Sequence, residues 1–364
     1  MKTVSSAVPS PHRMSRRACL GGLAAAAALT PASIWAASTN VIDRLSLDGA
    51  PGLAAGVVRK GQVKATGGKG IATLGSKTAP DRNTIFEIGS LTKTFTACLI
   101  FQLQEEGRLS IEAPIGTYVT DLPKAWQGLP LSQLLSHTAG LPNYLNGENF
   151  RAIMPQDLKP RQLIAMVADQ PLVFTPGERH EYSNTGFILL GMAAEAITGT
   201  DYWDTLQTRF FGPAGMTSTG PRNRVKTGTR LASGHFWDGT AYDTAPPRAA
   251  PGSTWAAGGL LSSVADIDRW SIALDEGRIL TPALRQKMWR PATLNNGSPA
   301  GWGYGWQVEL IDGRTIVSHG GSTAGFSCWY RRDLSQTLST IVMTNQNGLA
   351  DPKAMTEALL TYKL

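Results

Sequence analysis

Phe86-Glu87-Ile88-Gly89-Ser90-Leu91-Thr92-Lys93-Thr94-Phe95-Thr96-Ala97 is the stretch from which the rest of the chain can be read. Its first residues read as the end of a strand, Gly89 as a tight turn, and Ser90 as the start of a helix. Leu91, Phe95, Leu99 and Leu103 recur every four residues and Gly107 follows as a stop, so a helix is expected over residues 90–106. Ser90 and Lys93, three apart, then share one face of the first turn. A serine hydroxyl needs a base to become a nucleophile, and a lysine serves once burial lowers its pKa toward neutrality. The helix start adds backbone N–H groups able to hold an oxyanion. Taken alone, the pair is also what chance provides, a serine N-cap followed by a solvated lysine.

Working outward, residues 52–68 read as a hairpin turning at Lys60-Gly61. At the other end, residues 306–311, 315–318, 326–331 and 338–344 read as strands, with turns at Asp312-Gly313 and Leu334-Ser335 and a closing helix over 352–363. Between the ends lies a region rich in Pro, Gly and helical segments, including an apolar helix over 187–198 stopped by Gly199. Strands, then helices, then strands predict an α/β (α+β) fold. One antiparallel sheet, built from both chain ends, is flanked by helices, and a mostly helical region is inserted. One domain is expected over 37–364, with its sheet part in 37–110 and 256–364 and its helical part in 111–255. The site falls at their seam.

Composition narrows the function. Of 364 residues, 42% are hydrophobic and 17% charged, which is ordinary globular material. The net charge is +7, but Lys2, Arg13, Arg16 and Arg17 all precede the first acid, Asp43. No basic stripe remains, which excludes nucleic acid as the main partner. Residues 1–36 read as an export leader: Ser15-Arg16-Arg17 resembles a twin-arginine signal, the apolar stretch from Leu20 is too short to span a membrane, and Ala36 and Ala37 offer small cleavage positions. A periplasmic or secreted protein with no stable membrane span is expected. Cys98 and Cys328, each in an apolar run, are expected as free buried thiols. Without a Cys/His cluster, a metal site is not indicated, and no cofactor is expected.

Two further groups carry chemistry. Tyr182-Ser183-Asn184 follows the turn Thr175-Pro176-Gly177-Glu178 and precedes the apolar helix. Its tyrosine can relay a proton, and its amide can both donate and accept. Tyr144-Leu145-Asn146 has the same spacing, but its tyrosine reads as a packing residue. Ser318-His319-Gly320-Gly321-Ser322-Thr323 lies between two strands. Its glycines allow close approach to the backbone, and the Ser322 N–H is a second oxyanion donor. Trp302, Trp306 and Trp329 read first as core residues, with a place in the cleft as the alternative.

Ser90-x-x-Lys93, Tyr182-x-Asn184 and His319-Gly320-Gly321, in that order, resemble the three motifs of the class C β-lactamase and penicillin-recognising serine hydrolase family. That family includes D-alanyl-D-alanine carboxypeptidases, D-aminopeptidases and β-lactamase-like esterases. Leu134-Leu135-Ser136-His137-Thr138-Ala139-Gly140-Leu141-Pro142 and Pro176-Gly177-Glu178 extend the resemblance. It implies an acyl-enzyme on Ser90, acid/base work shared by Lys93 and Tyr182, and substrate contacts from Asn184, His319, Gly321 and Ser322. The backbone N–H groups of Ser90 and Ser322 would form the oxyanion hole. The third motif departs from the lactamases' Lys-Thr-Gly: neutral His319 offers no fixed charge to a substrate carboxylate. Small esters therefore rank first, D-amino-acid peptides second and β-lactams third. A Ser322 elbow of the α/β-hydrolase type lacks a later histidine. A non-catalytic peptide-binding relative would be expected to lose Ser90 or Lys93. Oligomeric state is left open.

Overall fold

The computed structural model describes residues 41–361 apart from 48, 147–148, 238 and 243–248. The leader expected over 1–36 lies outside the described residues. Among those described, no helix is long and apolar enough to cross a membrane.

The first hairpin joins β1 (Gly52–Arg59) to β2 (Gln62–Gly70). Lys60 and Gly61 both take positive φ, 50° and 72°, the geometry that matches strand twist in a two-residue turn. β3 (Ile85–Glu87) leads to helix α1 (Thr92–Glu105), which is buried on nearly every side. Helix α2 (Asn184–Thr198) is equally apolar and ends at Gly199 in the left-handed conformation. A short α3 (Pro251–Gly258), β4 (Leu260–Ser263), α4 (Val264–Asp275) and α5 (Pro282–Met288) follow. The tail supplies β5 (Gln307–Ile311), β6 (Arg314–Thr323), β7 (Phe326–Asp333), β8 (Leu338–Thr344) and α6 (Pro352–Leu360).

The main sheet runs β2-β1-β8-β7-β6-β5, antiparallel throughout, so the two chain ends meet where β1 pairs with β8. β6 is longer than the sequence suggests. It carries His319 to Thr323 within the strand rather than in a loop, because each of those residues pairs across to β7. β1 alternates between two layers. Leu53, Ala55 and Val57 pack with Val41, Ile42, Met355 and Leu359 on the α6 side, while Gly56 faces Val264 and Asp268 of α4.

Asp268 is an unusual occupant of that second layer. It is almost fully enclosed, one of its oxygens has no partner among the described residues, and burial pushes its carboxyl up to about 7 from an ordinary 3.8, against the pull of Arg82 and Arg269. An acid whose folded pKa is raised favours folding only while protonated. Its contribution is lost as pH rises from about 4 to about 7. Asp268→Asn is therefore expected to gain on the wild type across that window, by about 1–2 kcal/mol at pH 8. Paired thermal melts at pH 4 and pH 8 measure this; equal differences at both would show that Asp268 is not buried as described.

Candidate active site

β3 is followed by Ile88, whose N–H donates to the Leu260 carbonyl at 3.1 Å. Gly89 then turns with φ 47°, a conformation that costs glycine little. Gly89-Ser90-Leu91 forms one tight 3-10 turn before α1 begins, and this turn lifts the Ser90 hydroxyl out of the buried layer. Lys93, one turn on, is fully buried. Its Nζ lies 3.1 Å from Ser90 Oγ, 2.8 Å from Asn184 Oδ1 and 2.6 Å from the Ala257 carbonyl oxygen. Burial holds the lysine well below its ordinary 10.5. The N-termini of α1 and α2 meet at this amine, and their positive ends add to the penalty on an ammonium. A neutral amine has two N–H donors and one lone pair. The two shorter contacts take the donors, which leaves the lone pair for the Ser90 proton.

The supports of Lys93 come from distant segments. Asn184 opens α2, and Asn143 fixes it by accepting from both its backbone N–H and its side-chain amide at 3.1 Å. Ala257 lies just past Trp255, whose φ of 35° breaks the helical path of α3. The bend turns two successive carbonyls onto α1: Ala256 accepts from Thr96 Oγ1 at 2.7 Å, and Ala257 accepts from Lys93. A bulky residue at that φ is strained and persists because its surroundings hold it there. Asn143, Ala257 and Trp255 were not singled out from the sequence.

Tyr182 lies directly before α2. One edge of its ring lines the cleft, while its hydroxyl is enclosed and faces Ser90 without closing a full hydrogen bond. Burial pushes the phenol up, and Ser90 draws it partway back. Tyr144, by contrast, is a core residue whose hydroxyl donates to the Ser253 carbonyl at 3.0 Å.

β6 forms the opposite wall. A side chain on Gly89 would stand 2.8 Å from Ser322 N, so the Ser322 N–H comes close beside the nucleophile's turn. The Ser322 hydroxyl donates to Asn347 Oδ1 at 2.8 Å. It lies on an antiparallel strand, which removes the α/β-hydrolase elbow. The two glycines serve packing: a side chain at Gly321 would stand 1.8 Å from the Ile88 carbonyl oxygen, and one at Gly320 would enter the Trp329 ring. Gly321→Ala is accordingly expected to push β6 off Ile88 and displace the Ser322 N–H, lowering kcat by about 100-fold. Steady-state kinetics on a variant with a cooperative melt measures this; a drop under threefold would count against that packing.

His319 does not line the cleft. It is buried beside Tyr182 and Trp302, and burial together with Lys93 lowers it to about 3, so it is neutral. Trp306 belongs to the core, and Trp329 lies over Gly320. Cys98 and Cys328 are free and buried.

The cleft itself measures about 480 Å³. Ser90, Tyr182, Asn184 and Ser322 meet at it, with Asn143, Asn146 and Asn347 around them and Leu145 and Met154 as apolar wall. No Asp, Glu, Lys, Arg or His is among its described lining residues. Nor, among the described residues, does any group of acidic, His or Cys side chains form a metal site.

Comparison with known proteins gives this arrangement a context. The chain is 29% identical to penicillin-binding protein 4* of Bacillus subtilis (strain 168), over 76% of this chain and 64% of that protein. It is 28% identical to a D-aminopeptidase of Gluconobacter oxydans (strain 621H), over 82% of this chain and 57% of that one. The chain thus spans less than two thirds of these curated relatives' length. Among solved structures, it superposes on the octameric penicillin-binding protein homologue from Pyrococcus abyssi with TM-score 0.77 and 27% identity, covering 85% of this chain and 73% of that one. It superposes on a D-stereospecific amidohydrolase from Streptomyces sp. with TM-score 0.76 and 25% identity, covering 89% and 97%. Residues 39–362 match the family described as Beta-lactamase. With that match spanning nearly the whole chain, the protein belongs to the β-lactamase family.

Proposed function

We propose that the protein hydrolyses uncharged esters through an acyl-enzyme on Ser90. The observation that carries this reading is the 3.1 Å approach of a buried lysine to the Ser90 hydroxyl in a cleft without a charged lining residue among those described. Ser90 Oγ attacks the carbonyl carbon as its proton passes to the neutral Lys93 amine. The backbone N–H groups of Ser90 and Ser322 hold the oxyanion. On collapse the C–O bond breaks, and the leaving alkoxide takes the proton by way of Tyr182. Water then attacks the acyl carbon, giving its proton to the same Lys93–Tyr182 pair, which returns it to Ser90 as the acid leaves.

The lining decides the rank of substrates. A carboxypeptidase or β-lactamase substrate brings a carboxylate, and an aminopeptidase substrate brings an ammonium. Either would be desolvated here without a counter-charge among the described lining residues. Amides of D-amino acids are the second reading, favoured by the likeness to a D-aminopeptidase and a D-stereospecific amidohydrolase. A non-catalytic binding role ranks third, since both Ser90 and Lys93 are present. The arginine-led start of the chain supports export as part of the same proposal.

The test is a parallel assay of p-nitrophenyl butyrate, a D-amino-acid amide, a D-alanyl-D-alanine peptide and a chromogenic cephalosporin. The ester is expected to lead the cephalosporin by about 100-fold or more in kcat/KM. A cephalosporin or free-carboxylate peptide turned over faster than the ester would overturn this order.

A further inference from the structure

Two rings outside the Ser90, Tyr182 and His319 motifs pack on Tyr182, and a third packs on those two. His137 lies 4.3 Å from it between centroids, tilted by 31°, and Trp302 stands edge-on at 6.0 Å. Trp302 also contacts His137 at 5.3 Å, His319 at 5.5 Å and the third ring, His180, at 5.1 Å, stacked on the last. His137 sits at φ 56°, a left-handed backbone that a buried non-glycine residue keeps only when its surroundings fix it.

The tautomers of the two buried histidines follow from their neighbours. His137 Nδ1 accepts the Ser183 N–H at 3.3 Å, so its proton is on Nε2. His319 Nδ1 lies 2.6 Å from the Gly320 carbonyl oxygen, which can only accept, so Nδ1 carries the proton and Nε2 is a lone pair. His137 Nε2–H, Trp302 Nε1–H, His319 Nε2 and His180 Nε2 are all enclosed, and none has a partner among the described residues. The shell thus holds two uncommitted donors, one uncommitted acceptor and the His180 nitrogen. Buried polar atoms are ordinarily paired, so a cluster of unpaired ones in one shell calls for a role.

We propose that His137 and Trp302 are positioning residues for the reaction, holding the Tyr182 ring by contact and biasing the Tyr182–Lys93 pair with their buried N–H groups. This rests on the reading of Ser90 as nucleophile. An N–H with its hydrogen end toward the pair favours negative charge on the Tyr182 oxygen and disfavours an ammonium on Lys93; in this proposal both residues act on proton transfer in that way, without touching substrate. The other titratable groups facing this shell are Tyr144 in the core, His180 and Glu181 in the segment before α2, and His319 on β6. His137 and His319 are kept neutral chiefly by burial, leaving the N–H dipoles as the local bias.

Trp302→Phe removes the N–H and keeps a ring. His137→Asn suits the left-handed backbone and removes the imidazole. The full chain and both variants are assayed for ester turnover from pH 5 to 9 and for the rate of Ser90 labelling by a serine-reactive phosphonate. Each variant is expected to lose about tenfold in kcat and labelling rate with KM nearly unchanged. The acidic limb is expected to move up by about half a pH unit, because Lys93 becomes easier to protonate. Labelling within twofold of wild type in both variants, or a loss of rate with no movement of the limb, overturns the proposal. Failure to label wild-type Ser90 at all would instead overturn the nucleophile assignment beneath it.

Discussion

Ser90→Ala is expected to abolish turnover, by about 10⁴-fold or more in kcat, while the protein keeps its melt. Ser90 sits at the cleft on a turn whose backbone is set by Gly89 and by the Ile88–Leu260 bond, not by its own hydroxyl. Truncation costs the fold one contact, from Lys93 Nζ at 3.1 Å, and that amine keeps its two shorter bonds. Of the other hydroxyls at the cleft, those of Thr254 and Thr323 are enclosed. The Ser322 hydroxyl is committed to Asn347, and both cysteines are buried with burial raising their thiols, Cys328 to about 12. Phosphonate labelling followed by intact-mass measurement checks the result. Ester hydrolysis surviving at more than about 1% of wild type would remove Ser90 from the mechanism.

Lys93→Met is expected to cost nearly as much, about 10³-fold or more in kcat/KM, with a loss of stability of about 1–3 kcal/mol near the alkaline end of the range. Methionine matches the length of the lysine stem but leaves Asn184 Oδ1 and the Ala257 carbonyl oxygen without the donor they accept from. What it lacks is the lone pair that takes the Ser90 proton. Arginine at this position would fail for a different reason, since it stays protonated. The wild type should lose activity on the acid side, as Lys93 gains a proton and can no longer accept one. The same burial has a signature in stability. A base whose folded pKa is depressed lets the unfolded chain bind protons that the folded one refuses. The variant's stability relative to wild type should therefore improve as pH falls from about 10, by at most about 1.4 kcal/mol per pH unit. Denaturant melts of both proteins at several pH values read this directly. A constant difference would mean that Lys93 is charged in the folded protein.

The Asp268 contribution runs the other way over pH 4 to 7. The two variants should thus change the pH–stability curve with opposite slopes, which separates the buried acid from the buried base.

Much of the architecture was legible because it depends on short-range chemistry. Two-residue turns at Lys60-Gly61 and Asp312-Gly313 need residues that tolerate positive φ, and all four adopt it. Alternation along β1 and the four-residue spacing of α1 reflect which faces are buried. Strand ends were less legible. β6 runs on through His319, Gly320 and Gly321 because β7 pairs with it, and pairing partners are not written in the segment itself.

For the site, the chain alone determined which residue types were available and their order: a serine and lysine three apart, then a tyrosine and asparagine, then a histidine followed by two glycines. Order and spacing set the local geometry of Ser90 and Lys93, because one helical turn brings them together wherever that helix lies. Only the tertiary structure decided that the lysine is enclosed, that Asn184 and the Ala257 carbonyl take its two hydrogens, and that Gly321 makes room for Ile88 rather than for a ligand. Those facts depend on contacts between segments separated by tens to hundreds of residues. The lowered pKa of Lys93 is a property of its surroundings, since desolvation by those segments, not the residue type, disfavours the ammonium.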